Sequence, residues 1–373
     1  MTKIEIGGLG KVCGKFCIAL FAMLTIPSLV SALEPVDNSS EVEVRFARGD
    51  AVYSGTLSKP AGAGKFPLVI LVSGMGPQDR DWNFGKNYKL AKIIADHLVG
   101  NGIAVYRYDD RGVGKSTGVS ETLTSFDDLA EDVYSALSEL RKRSDIGKIG
   151  LMGHSLGGIL SVMAASRHSD IDFIITLSGS YQNGGDIMME QARTLKRWKT
   201  SADMTDDDVV ANGERFVRSW ISYSRGGEGL DVIQQTLSAL IHYQISKLTP
   251  EKMAENLRTF KDEHDFFEKT YNDAVAYYIS PHQKSFAVYD PTEDFKKIAC
   301  PVLILFGEKD KHVTVESNMP KVAKALGGAK VADLAIRIVP EVDHGYSTPE
   351  LYKQGAVGPG MLEYVTNWVL YRK

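Results

Sequence analysis

The chain has 373 residues, enough for one large domain with an insertion or for two domains. Hydrophobic content of 43% and charged content of 24% are globular proportions, which exclude a disordered or fibrous chain. A formal charge of −4 offers none of the basic surplus that nucleic-acid binding needs.

The first 32 residues differ from the rest. Lys3, Lys11 and Lys15 give a positive start, and Phe16 to Val30 is apolar but for Thr25, Pro27 and Ser28. Val30-Ser31-Ala32 puts small residues at the two cleavage-determining positions. This reads as a secretory signal peptide, because the apolar run is shorter than the ~20 residues of a bilayer span. The expectation is an exported chain, periplasmic or secreted, with no stable membrane span once residues 1–32 are removed. Cys13 and Cys17 leave with the signal, so the remaining Cys300 has no intramolecular disulfide partner. Cys300 precedes Pro301 at an apolar strand and reads as a core residue.

Glu41 to Phe46 alternates polar and apolar residues as an edge strand does, and Val52 to Leu57 reads as its antiparallel partner. Phe66 to Val72 is a continuous apolar strand. Tyr88 to Val99 repeats at Leu90, Ala91, Ile94, Ala95 and Leu98, a helical period. Ile103 to Tyr108 is a strand. Phe126 to Leu140 is a helix capped by Ser125, with acids in its first turn. Lys148 to Met152 is a strand, Ile159 to Ala165 a helix, and Phe173 to Leu177 a strand. Strands alternating with amphipathic helices imply a mostly parallel, doubly wound sheet with helices on both faces.

Residues 181–290 break the alternation. Ile187 to Trp198 has a helical pattern, and Thr249-Pro250-Glu251 is an N-cap followed by proline at the first helical position. The reading is a helical cap inserted over the carboxyl edge of the sheet, between core segments 33–180 and 291–373. Trp198, Trp220, Phe266, Phe267, Tyr277 and Tyr278 are candidates for an acyl pocket, although such residues more often form an insertion's own core. The alternation resumes with strand Val302 to Phe306, helix Met319 to Leu326, strand Leu334 to Val339 and a closing helix Met361 to Leu370.

The chemistry centres on Gly153-His154-Ser155-Leu156-Gly157-Gly158, a G-x-S-x-G turn between a strand and a helix. Such a turn presents the serine hydroxyl above the sheet, and the glycines on either side let strand and helix pass closely. A serine hydroxyl needs a general base, and the base needs a carboxylate to hold its tautomer. Asp310 follows the strand ending at Phe306, and His344 follows the strand ending at Val339. The order Ser155, Asp310, His344 is that of the α/β-hydrolases. Glu308 is an alternative acid on the same loop, Asp343 is too near His344 to reach its far nitrogen, and His154 reads as structural. The oxyanion donors expected are the backbone N–H groups of Leu156 and of Met75, the latter in the glycine-bearing loop Ser73 to Asp81. Gly114-Lys115-Ser116 imitates the end of a phosphate-binding loop, but Asp109 stands where that pattern requires glycine. No cofactor or metal is implied.

Three stretches together resemble the bacterial α/β-hydrolase carboxylesterases of the Thermotoga type: Ser73 to Asp81, Tyr106 to Ser116 and Gly153 to Gly158. Tyr289-Asp290-Pro291 and Pro301 to Asp310 extend the likeness. The resemblance covers about residues 41–180 and 285–373. It implies the α/β-hydrolase fold with a helical cap, Ser155, Asp310 and His344 as the triad, and a small-molecule ester as substrate. Alternatives are a peptidase or amidase of the same fold, for which Asp206, Asp207, Asp208 and Glu263 are candidate acidic anchors, and a non-catalytic binding protein. Oligomeric state is open.

Overall fold

The computed structural model describes residues 40–85, 87–194, 197–327, 330–331 and 333–372. The expected signal segment lies outside them. Ten strands and thirteen helices follow one another in these residues. β1 (Ser40–Arg48) and β2 (Ala51–Lys59) form an antiparallel pair, with Phe46 opposite Tyr53. β3 (Phe66–Val72) is followed by a short ribbon of β4 (Asn83–Gly85) and β5 (Tyr88–Lys89), then α1 (Leu90–Gly100) and β6 (Ala104–Tyr108). A single 3-10 turn, Glu121–Leu123, precedes α2 (Phe126–Arg141). β7 (Ile146–His154), α3 (Leu156–Arg167) and β8 (Phe173–Leu177) complete the first part of the sheet.

Seven helices then separate β8 from β9: α4 (Gly184–Thr194), α5 (Asp206–Ser224), α6 (Leu230–Ser246), α7 (Pro250–Asn256), α8 (Glu263–Tyr278), α9 (Pro281–Val288) and α10 (Thr292–Phe295). β9 (Val302–Gly307), α11 (Val315–Leu326), β10 (Leu334–Val339), α12 (Pro349–Gln354) and α13 (Met361–Leu370) close the chain. No helix among the described residues is long and apolar enough to cross a membrane.

The sheet order is β1-β2-β6-β3-β7-β8-β9-β10. β1 and β2 are antiparallel to their neighbours; from β6 onward every pairing is parallel. Alternate residues of one strand feed opposite faces. Leu68, Ile70 and Val72 of β3 enter a core with α2 and α3, while Val69 and Leu71 enter a second core with α1 and α13. Both faces are therefore covered, which is why the central strands read as unbroken apolar runs. The chain passes from β3 to β6 on one side and later to β7 on the other. The carboxyl ends of β3 and β7 thus flank a topological switch point, where doubly wound sheets open a crevice.

Local signals worked where caps were explicit. Ser125 accepts from the Asp128 amide, and Thr249 accepts from the Lys252 amide ahead of Pro250. Several boundaries differ from the sequence reading, three of them by a local cause or by packing. Tyr88 belongs to a strand paired with β4, and the helix starts at Leu90. α11 starts at Val315, four residues earlier than expected, because Thr314 caps it through the Ser317 amide. The helix expected to reach Trp198 is described as far as Thr194, and Trp198 itself is not helical. Trp198 is instead buried against Phe216, ring centroids 4.3 Å apart, with its carbonyl accepting from Asn212.

Candidate active site

β7 runs straight into α3 at Ser155, whose φ of 52° and ψ of −116° lie outside the ordinary regions. A non-glycine residue held at positive φ is strained, and the surroundings account for why it persists. A Cβ on Gly153 would sit 2.0 Å from the Gly157 carbonyl oxygen. A Cβ on Gly157 would sit 2.1 Å from the Val72 carbonyl oxygen at the end of β3. Strand, helix and the neighbouring strand therefore close on one another through backbone, and the serine is pushed out at the apex.

Asp310 lies in the turn after β9, and His344 in the turn after β10. Nδ1–H of His344 donates to Asp310 Oδ2 at 2.7 Å. The other carboxylate oxygen accepts from the amides of His312 and Val313, at 2.8 and 2.9 Å. Burial opposes ionisation of Asp310, but the His344 bond and the two amides outweigh it and hold its carboxyl below the usual range. The bond at Nδ1 leaves Nε2 of His344 as the acceptor nitrogen. Glu308, the alternative acid, is exposed and accepts from the Glu341 amide instead. Asp343 is spent on its own turn, accepting from Gly345 and Ser347.

His154 is buried, and burial beside His344 pushes its imidazole down to about 3. Neutral, it donates Nε2–H to the His344 carbonyl at 2.9 Å, while its Nδ1 has no partner among the described residues. The residue before Ser155 thus anchors the turn that carries His344. This agrees with its structural reading from sequence.

Ser155 and His344 line one cavity of about 340 Å³ together with Gly74, Met75 and Leu156. No hydrogen bond joins Ser155 Oγ to His344 among the described residues. Two of the suggested aromatics, Tyr277 and Tyr278, line the cavity. Trp198 and Trp220 are core residues, and Phe266 and Phe267 are not among the lining residues. His312 also lines it, because the Asp310 turn folds it back to 5.2 Å from the His344 ring. Among the described residues that line the cavity, none is an aspartate or glutamate, and Arg197 is the arginine.

The phosphate-loop imitation has a physical account. The Lys115 amide donates to Asp109 Oδ2 at 3.1 Å, and Arg80 grips the same carboxylate through Nε and Nη2. The cradle a phosphate would use is filled by the chain's own carboxylate. Asp110 and Arg111 are also scaffold. Asp110 accepts from Ser73 Oγ at 2.6 Å and from the Gln78 amide at 2.8 Å, bracing the loop after β3. Arg111 forks onto Asp132 of α2 at 2.7 and 3.0 Å. Among the described residues no group of three or more histidine, cysteine, aspartate or glutamate side chains is arranged to hold a metal ion. Burial pushes the Cys300 thiol up to about 12, so it stays protonated at neutral pH.

Sheet order, elbow and cavity define an α/β-hydrolase fold. Comparison with known proteins agrees. The family described as serine aminopeptidase, S33, matches residues 84–210, and the dienelactone hydrolase family matches residues 266–357. Esterase EstD from Thermotoga maritima is 25% identical over 323 residues, covering 85% of this chain and 65% of that esterase. The match thus spans just under two thirds of EstD. Serine hydrolase BPHL from Homo sapiens is 24% identical over 305 residues, covering 78% of this chain and 82% of that protein. An esterase from Pyrococcus furiosus has a similar fold, with a TM-score of 0.53 at 14% identity over 89% of this chain and 91% of that chain. The chain is an α/β-hydrolase by fold, and an esterase and a serine hydrolase are among the proteins it is similar to in sequence.

Proposed function

We propose that the chain is an exported serine hydrolase that cleaves small carboxylic esters through an acyl-enzyme on Ser155. The observation that carries this reading is the shared cavity: a serine at a strained strand-to-helix turn opens onto the same space as a histidine oriented by a buried carboxylate.

In this mechanism His344 Nε2 takes the proton of Ser155 Oγ as the oxygen attacks the ester carbonyl. The serine–histidine bond closes as substrate docks, since catalytic bonds in empty sites are often long. The Met75 and Leu156 amides receive the oxyanion, the second aided by its place at the start of α3. The imidazolium then passes its proton to the leaving alcohol. Water, deprotonated by His344, attacks the acyl carbonyl and releases the acid, restoring Ser155.

Amide or peptide cleavage is the second reading, favoured by the serine aminopeptidase family match. Recognition of a free amino terminus wants a carboxylate facing the scissile bond. None of Asp206, Asp207, Asp208 and Glu263 lines the cavity. The expected outcome is faster turnover of short aryl esters than of aminoacyl anilides; preferential anilide cleavage would overturn the ester assignment. Fluorophosphonate should label the wild type and not Ser155→Ala. A folded wild type that resists labelling would favour a binding protein instead.

A further inference from the structure

We infer that Glu121 is a positioning residue for the oxyanion loop, tying the Gly76 amide on one side and meeting His282 of the helical insertion on the other. The inference rests on the proposed role of Met75, the residue before Gly76.

Glu121 lies in the 3-10 turn before α2, far from the triad in sequence, and is only 7% exposed. Its Oε1 accepts from Gly76 N–H at 3.3 Å. The same oxygen lies 3.5 Å from Nε2 of His282, a residue of α9 that is 1% exposed. His282 Nδ1 is buried without a hydrogen-bond partner among the described residues, so its contact with Glu121 is the polar contact available to that ring. The insertion also reaches the loop directly: Tyr277 and Gln283 approach the Met75 sulfur at 3.6 and 3.9 Å. The loop is thus held from behind by Asp110, through Ser73 and Gln78, and at its centre by Glu121. Gly76 adopts a φ of 94°, which glycine takes without strain, and this turns its N–H toward Glu121.

Ionisation state governs how firmly Glu121 holds. A carboxylate accepting from the Gly76 amide makes a charge-assisted bond, which a protonated carboxyl does not match. Burial pushes the Glu121 carboxyl up to about 7 and the His282 imidazole down to about 4. Around neutral pH the imidazole is therefore neutral, and the carboxyl is the group that changes charge. Other ionisable groups face it. Asp110 and Tyr108 come from the end of β6, Tyr277 from α8, and Arg111 and Asp132 line the small cavity of about 30 Å³ behind the loop. Asp110 is itself pushed well above the usual range by burial and by Glu121, and Arg111 is paired with Asp132.

The test compares kcat of the wild type and Glu121→Gln on a neutral short-chain aryl ester from pH 5.5 to 8.5. Glutamine keeps the shape but stays neutral, so pH dependence shared by both enzymes cancels in the ratio. The wild-type to variant ratio is expected near one at pH 5.5, rising to about tenfold at pH 8.5, with KM within about twofold; loss of one oxyanion donor outright costs ~10²–10³. A ratio that is flat with pH, whether at one or at a uniform loss, overturns the inference. If Glu121→Gln fails to fold, His282→Leu serves. Replacing the polar ring beside the Glu121 carboxylate by an apolar side chain should move the acid limb of kcat to higher pH, and an unmoved limb sinks the idea. Fluorophosphonate labelling of the same wild-type sample separates two failures. An unlabelled wild type refutes the hydrolase reading; a labelled wild type with a flat ratio refutes only the role of Glu121.

Discussion

Asp310 has its two oxygens committed differently, and that sets what a conservative change does. Oδ1 accepts from two backbone amides and Oδ2 from His344. In Asp310→Asn the amides keep the oxygen, so the NH₂ must face His344. It would donate to Nδ1 and force the histidine proton onto Nε2, the nitrogen that has to accept from Ser155. The expected loss in kcat is about 10⁴, the size seen when a triad histidine is held in the wrong tautomer. KM and the thermal midpoint should change little; a loss below about tenfold would mean that Asp310 does not orient the base. Glu121 gives a residue-scale contrast in stability. Its folded-state carboxyl is raised above the ordinary 4.5, so its stabilising contribution is complete below about pH 4.5 and is lost as pH rises through about 7. Glu121→Gln removes that loss, and thermal melts at pH 8 should find the variant at least as stable as the wild type.

At the scale of elements, the elbow is decided by backbone closeness. Gly153, Gly157 and the end of β3 meet with no room for a methyl group. Gly157→Ala should lower the denaturant midpoint at unchanged slope, by about 2 kcal/mol or more, since forced overpacking costs about 1–3 kcal/mol and here the obstacle is carbonyl oxygen. An unchanged midpoint would mean that helix and strand can part freely. This part of the site was legible in the sequence. Strand, turn and helix lie within about twenty residues, and the proposed acid and base each follow an apolar strand that announces itself. His282 and Glu121 were not legible. They come from different parts of the chain and meet only because α9 packs on the turn before α2. Neither lies in a motif, and Glu121 reads as one more loop carboxylate. Trp198 was placed in a helix for a similar reason, since its packing against α5 is not visible in its own segment.

At the scale of the molecule, the alternation of strands and helices predicted the layered sheet, because both faces are covered and each central strand is apolar throughout. The sequence could not say which insertion residues face the reaction, since aromatic residues serve a core and a pocket equally well. Export is also a whole-chain proposal. Chain recovered from the periplasm or medium should begin at Leu33; recovery only from the cytoplasm with residues 1–32 intact would contradict it. The central claim is a covalent acyl group on Ser155. Rapid mixing with an activated aryl ester, followed by acid quench and mass spectrometry of the peptide containing Ser155, tests it most directly. The account predicts a burst of alcohol release matched by an acyl adduct on Ser155, both absent in Ser155→Ala. Steady turnover with no adduct, or with turnover retained in Ser155→Ala, would contradict it.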